Sequence, residues 1–144
     1  MPSRAFWVMS GSGLVPLLVC LTLAYAVPDL RDAAVRTFLV YSALTLSFLG
    51  GARWGAELVR APAAPNLPRL GAAAAPSVLG LFALVPQTPP TVAIGLLLLS
   101  SGAQLAWDVA GARAGLLPPW NGRVRTVMTA LGTLCTLALW PVAG

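Results

Sequence analysis

Long apolar runs alternate with short polar or proline-rich breaks along the chain, at intervals that suit helices crossing a membrane. Five such runs stand out, at about residues 5–27, 36–59, 70–86, 91–110 and 122–140. A helix needs about 20 mostly apolar residues to span the hydrocarbon core, and only the third run falls well short of that. The pattern predicts an all-α, polytopic membrane bundle of five transmembrane helices. It fills residues 1–144 as one unit, with no repeat and no domain boundary.

The first run follows Arg4 and ends near Ala24-Tyr25-Ala26, which resembles a signal-peptidase site. Its apolar stretch of about 23 residues exceeds the 7–15 of a signal core, so a retained helix is expected. Pro16 should kink it by removing a backbone hydrogen bond. Gly11 and Gly13 lack the third glycine and the Lys-Ser/Thr of a phosphate loop, and are read as points of close helix packing.

Residues 28–35 form a polar turn carrying Asp29, Arg31 and Asp32. Asp32 and Arg36, four apart, are expected to pair on the first turn of the second helix. Farther along that helix Ser47, Gly51 and Gly55 recur every four residues, a small-residue face that lets another backbone approach closely. The proline- and alanine-rich stretch 61–69 reads as extended and non-helical. The third run opens with alanines and contains Pro76, which leaves a tilted or re-entrant segment open as an alternative to a full crossing. A tight, uncharged turn follows at 86–90.

The fourth run begins as nearly pure Leu, Ile and Val. Ser100, Gln104 and Asp108 then draw one polar stripe at i, i+4 and i+8. Residues 116–120 make an interfacial elbow anchored by Trp120, and Asn121 is the expected N-cap of the fifth helix.

Composition supports the bilayer as solvent. Of 144 residues 58% are hydrophobic and 9% charged, with mean hydropathy +0.82, whereas soluble domains carry roughly 25% charged residues. All nine basic residues are arginine, which with the abundant Ala, Gly and Pro fits the codon bias of a GC-rich bacterium and hence a bacterial cytoplasmic (inner) membrane. The absence of histidine removes the usual ligand for haem and zinc and the usual proton shuttle near neutral pH. Cys20 and Cys135 sit in apolar runs without metal-site spacing, and Val19 is too large for a lipoprotein cleavage box before Cys20. No metal site, cofactor or catalytic residue is predicted; contact with lipid or pigment along apolar grooves stays open. The net charge of +5 comes from arginines scattered at helix ends rather than in a stripe with aromatics, so nucleic acid is not an expected partner.

Five crossings put Arg4, Arg60, Arg69, Arg113, Arg123 and Arg125 on one side of the membrane and Arg31 and Arg36 on the other. The positive-inside rule then places the N-terminus in the cytoplasm and the C-terminus outside. Arg53 lies roughly 10 Å deeper than Arg60 at 1.5 Å per residue. A charge near the bilayer centre costs about 2.5–3.5 kcal/mol on insertion scales. Glu57, four residues on, can neutralise it, and Gln104, Asp108, Arg123 and Arg125 collect at the same end. The expectation is a buried ion-paired network of Arg53, Glu57 and Asp108. The competing reading is a snorkelling pair at the rim beside Trp54.

The stretch Ser47-Phe48-Leu49-Gly50-Gly51, one spacer, then Arg53-Trp54-Gly55 resembles the signature of a family of small membrane proteins of unknown function that includes transmembrane protein 69. The likeness extends to residues 13–16, Pro76-Ser77, Asp108, Pro118, Trp120, Arg123 to Arg125 and Thr129. Where this chain has Arg53 the family pattern usually has histidine; arginine does not shuttle protons near neutral pH, which argues against proton transfer. The resemblance implies fold and membrane location and carries no activity with it.

Small-residue faces, little extramembrane mass and no recognisable chemistry together predict a non-enzymatic accessory subunit of a larger membrane complex, with an energy-transducing respiratory or photosynthetic assembly as the host class. Expected partners are membrane lipids and other membrane subunits, or a second copy through the small-residue faces. The alternative is a small channel or transporter using the Arg53, Glu57 and Asp108 cluster.

Overall fold

The computed structural model describes residues 4–144, and these form helices joined by short turns. The elements are α1 (Arg4–Ser12), α2 (Val15–Ala26), α3 (Arg31–Arg60), α4 (Leu67–Ala83), α5 (Pro90–Arg113) and α6 (Pro119–Leu139), with 3-10 turns at Pro28–Leu30 and Trp140–Val142. Three segments are long and apolar enough to cross a bilayer: Arg4–Ala26, Pro28–Arg60 and Pro90–Arg113. The chain is thus a multi-pass membrane protein. Helix α4 has 17 residues, about 25 Å at 1.5 Å per residue, and α6 carries Arg123 and Arg125 in its first turns.

The first predicted helix is interrupted. Gly13 and Leu14 form a turn, and Pro16 falls in the first turn of α2, where a missing N–H is tolerated. The Gly13 carbonyl instead accepts a hydrogen bond from the Tyr41 hydroxyl of α3 at 2.8 Å, which ties the break to its neighbour. The second helix starts five residues earlier than expected, at Arg31 rather than 36, because the turn at Pro28–Leu30 leads straight into it. The Asp32–Arg36 pair does not form among the described residues. Asp32 stands in the first turn of α3, where its charge suits the helix dipole, and Arg31 Nε donates to the Ala24 carbonyl at 3.2 Å.

Helix α4 also starts earlier than expected, inside the stretch predicted to be extended. The Asn66 side chain caps it by accepting from the Arg69 N–H at 3.0 Å. Asn121 is not a cap: α6 opens at Pro119, and Asn121 lies within its first turn. Residues 84–89 make the expected tight turn, closed by Thr88 Oγ1 donating to the Phe82 carbonyl at 2.9 Å. At the end of α5, Gly115 takes φ +70 while the Leu116 N–H reaches the Gly111 carbonyl at 2.9 Å, a terminus that favours glycine.

Lipid tails are as apolar as leucine, so close packing rather than water expulsion holds such helices together. The tightest seam joins α3 to α4. A Cβ on Gly50 would collide with the Ala73 carbonyl oxygen, and one on Gly80 would stand 3.1 Å from the Ala43 Cβ. Seven residues separate Ala43 from Gly50 and Gly80 from Ala73, so the antiparallel register holds along the seam. One further step of seven on each helix brings Glu57 to Asn66, whose N–H donates to Glu57 Oε1 at 3.1 Å. The small-residue face expected to receive another backbone is a different one, and no helix among the described residues packs closely on Gly51 or Gly55. Gly51 and Gly55 are exposed with open space where a Cβ would go, and Ser47 is half-buried; the contacts within the chain come from the line through Ala43 and Gly50.

The apolar core fills the half of the bundle around Leu17, Cys20, Phe38, Leu39, Ile94, Leu97 and Leu139. That half ends where the Tyr25 hydroxyl donates to the Ala138 carbonyl at 2.6 Å. At the opposite end Phe6 of α1 meets Trp120 of α6 edge to face, with ring centroids 4.9 Å apart. Arg4, Arg53, Arg60, Arg69, Arg113, Arg123 and Arg125 lie at that opposite end with Glu57 and Asp108. Arg31 and Arg36 are balanced by Asp29 and Asp32 at the other, so the whole net charge of +5 belongs to one end.

Candidate functional site

Two buried carboxylates organise the arginine-rich end. Asp108 lies on the face of α5 that also carries Ser100 and Gln104, and all three are buried. Its Oδ2 accepts from Arg125 Nε at 2.7 Å, and its Oδ1 faces Arg53 Nε at 3.5 Å, a charge contact rather than a tight hydrogen bond. One aspartate on α5 thereby holds α3 and α6. The Arg53 guanidinium also lies 4.2 Å above the Trp107 ring, a cation–π contact, and rests against Gly111, where a Cβ would stand 2.8 Å from Nη1.

Glu57 forms the second centre. Arg60 grips it with Nη2 at 2.5 Å and Nε at 3.1 Å, Arg69 Nη1 stands 3.6 Å away, and the Asn66 N–H completes the set. This centre joins α3, the 61–66 connection and the start of α4. The Glu57 side chain is buried, whereas Arg60 and Arg69 keep about two-fifths of theirs exposed (41% and 40%).

The expected single network of Arg53, Glu57 and Asp108 is therefore two centres. Arg53 and Glu57 do not pair, although they are four apart on one helix, because Arg53 turns to α5 and Glu57 to α4. Arg125 joins Asp108 as the clustering of charge suggested. Arg123 is exposed and makes no ion pair among the described residues, so it stands outside both centres. Gln104 sits one turn deeper than Asp108. Its Nε2, like Ser100 Oγ, has no hydrogen-bond partner among the described residues. Arg60, Arg69, Asn66, Trp107 and Gly111 were not singled out by sequence; the i,i+3 spacing of Glu57 and Arg60 was the one readable signal among them.

Arginine stays protonated at any physiological pH, so these centres offer cation-anion recognition rather than proton transfer. Each centre sets two guanidiniums against one carboxylate. Between them lies a recess with an enclosed volume of about 20 Å³, bounded by Arg53, Arg60, Arg69, Trp107, Leu116 and Leu117, which has room for about one water. On the outer face of α5 a shallow, open depression runs over Gly102, Leu105, Ala106, Val109, Ala110 and Arg113, all of that helix. Among the described residues no three His, Cys, Asp or Glu side chains come together as a metal ion would need.

Residues 2–141 match the model of a family described as a protein of unknown function, DUF3429. The chain belongs to the DUF3429 family. Transmembrane protein 69 of Xenopus tropicalis is similar to it, 31% identical over 133 residues, which is 88% of this chain and 50% of that protein. The DUF3429 chain thus spans about half the length of the curated relative it matches. No solved structure matches it. Both carboxylate centres and the α3–α4 seam fall inside the part matched by the DUF3429 model.

Proposed function

We propose that this protein is a non-enzymatic accessory subunit of a larger membrane assembly, inserted by five crossings in a bacterial cytoplasmic membrane with its N-terminus inside. One observation carries the reading: small residues line outer faces that nothing among the described residues covers. Gly51 and Gly55 on α3 look onto open space, and Gly102, Ala106 and Ala110 line the depression on α5. Small-residue faces of this spacing let a neighbouring transmembrane helix approach to backbone contact. The buried carboxylates, meanwhile, are occupied in tying α3, α4, α5 and α6 to one another, which is a scaffolding role.

The orientation rests on charge. Placing the end that holds the whole net charge at the cytoplasmic face satisfies the positive-inside rule. Helix α4 is short for a crossing, but it packs along α3 from Ala83 to the Asn66 cap and would be accommodated by local thinning or by its Arg69 reaching the interface.

The test is purification from native membranes in mild detergent, followed by mass measurement of the intact particle. A particle containing other membrane chains is expected, and Gly51→Leu with Gly55→Leu should release it without unfolding it. A free monomer from native membranes overturns the reading. A second reading, a small channel or transporter, draws on the buried polar line Ser100, Gln104 and Asp108 running inward from the charged end. It requires flux through reconstituted protein that Asp108→Asn abolishes.

A further inference from the structure

We propose that Arg60 and Arg69 form a binding site for the phosphate of an anionic phospholipid at the arginine-rich rim. The argument begins with charge. Arg60 and Arg69 share Glu57, and Arg53 and Arg125 share Asp108, so each centre retains one uncompensated positive charge. The two centres border one recess. Guanidiniums taken out of water without a matching anion are costly to hold, and the side chain of Arg53, which lines the recess with Arg60 and Arg69, is only 11% exposed. A counter-anion at the mouth of the recess supplies what the chain lacks.

Geometry selects where that anion sits. Arg60 uses Nε and Nη2 on Glu57, which leaves Nη1 for another acceptor, and Arg69 stands loosely at 3.6 Å with no tight side-chain hydrogen bond among the described residues. Glu57 lies behind them, pinned by the Asn66 N–H, and so fixes both guanidiniums instead of blocking them. A planar fork of N–H groups matches the oxygens of a phosphate, usually with two parallel bonds. The recess itself is too small for a headgroup, so the phosphate meets the two arginines at the mouth.

The surroundings select a lipid over a free phosphate. Trp107, Leu116 and Leu117 line the recess, and Val59 and Leu67, beside the two arginines in sequence, are among the most exposed apolar side chains of the protein. Trp54 and Trp120 at the same end mark the interfacial level where headgroups lie. Basic recesses between transmembrane helices at this level suit anionic headgroups, with apolar side chains left for the acyl chains. The proposal needs the membrane placement but not the subunit role.

The experiment titrates purified protein in detergent with phosphatidylglycerol, phosphatidylcholine or inorganic phosphate and counts adducts by native mass spectrometry. One phosphatidylglycerol should bind at least about tenfold more tightly than phosphatidylcholine, whose phosphate is the same but whose choline cation is repelled by the paired guanidiniums. Arg60→Gln with Arg69→Gln in a Glu57→Gln background replaces the whole trio with uncharged groups of similar shape, and should erase that preference while phosphatidylcholine binding stays the same. Should that variant not fold, Arg69→Gln alone leaves Glu57 held by Arg60 and Asn66 and should reduce the preference severalfold. Equal binding of the two lipids, an undiminished preference in a folded variant, or binding of inorganic phosphate with no lipid adduct each overturns the proposal.

Discussion

The guanidinium of Arg53 rests on the backbone of Gly111, so near that a Cβ there would stand 2.8 Å from Nη1 and 3.1 Å from Nη2. Glycine within a helix ordinarily costs up to about 0.5–1 kcal/mol against alanine, and Gly111 lies in the last turn of α5. Here it makes room for the charge that Asp108 and Trp107 hold in place. Gly111→Val should therefore lower the melting temperature in detergent more than Gly111→Ala does. In an Arg53→Ala background the steric part of both effects should vanish, leaving a coupling of at least about 0.5 kcal/mol in the double-mutant cycle.

Asp108 is the anion for two guanidiniums on two other helices. Removing one partner of a buried ion pair typically costs about 3–5 kcal/mol, since the other charge is left without a match. Asp108→Asn should destabilise the bundle on that scale, read as a fall in thermal midpoint by tryptophan fluorescence. Asp108→Leu combined with Arg53→Leu and Arg125→Met should recover most of the loss, because no charge is then stranded.

Adjacent glycines should behave in opposite ways. Gly50→Ala drives a Cβ into the Ala73 carbonyl oxygen, a backbone atom that cannot swing aside, and overpacking of this kind costs about 1–3 kcal/mol. Gly51→Ala and Gly55→Ala meet nothing within 4 Å and should leave the isolated chain as stable as before, or up to about 1 kcal/mol more so. Thermal melts of the three variants side by side decide the matter.

Tyr41→Phe removes the hydroxyl that answers the Gly13 carbonyl at the break between α1 and α2. A loss of about 1 kcal/mol is expected. Hydrogen exchange should show it first in the peptides spanning Gly13 to Leu18, with α5 and α6 little changed.

The helical architecture was legible because lipid imposes length and apolarity on anything that crosses it, and three of the runs fall in helices that carry both. Partner choice was less so. Arg53 and Glu57 share a helix face at i,i+4, which made them the obvious pair; Arg53 finds its partner on α5 and Glu57 its partners at the α3–α4 connection, and no local spacing encodes that. Which face of α3 packs inside the chain and which stays open was not legible either. Gly50 and Gly51 are neighbours in sequence but about 100° apart around a helix of 3.6 residues per turn. In a lipid-facing helix the outer side is also apolar and small, so periodicity alone does not choose between them. The Asn66 cap went unread because the prolines before it, at 62 and 65, suggested extension; Pro68 instead occupies the first turn of α4, where it is well tolerated.

The constant register between α3 and α4 also bears on how the protein is made. Ala43 with Gly80, Gly50 with Ala73 and Glu57 with Asn66 all belong to residues 31–83, so this hairpin holds every contact of its seam before α5 leaves the ribosome. Arg53 has no such local match. Its aspartate arrives much later in synthesis and Arg125 later still, so the nascent hairpin must keep one guanidinium at the aqueous edge until α5 is delivered.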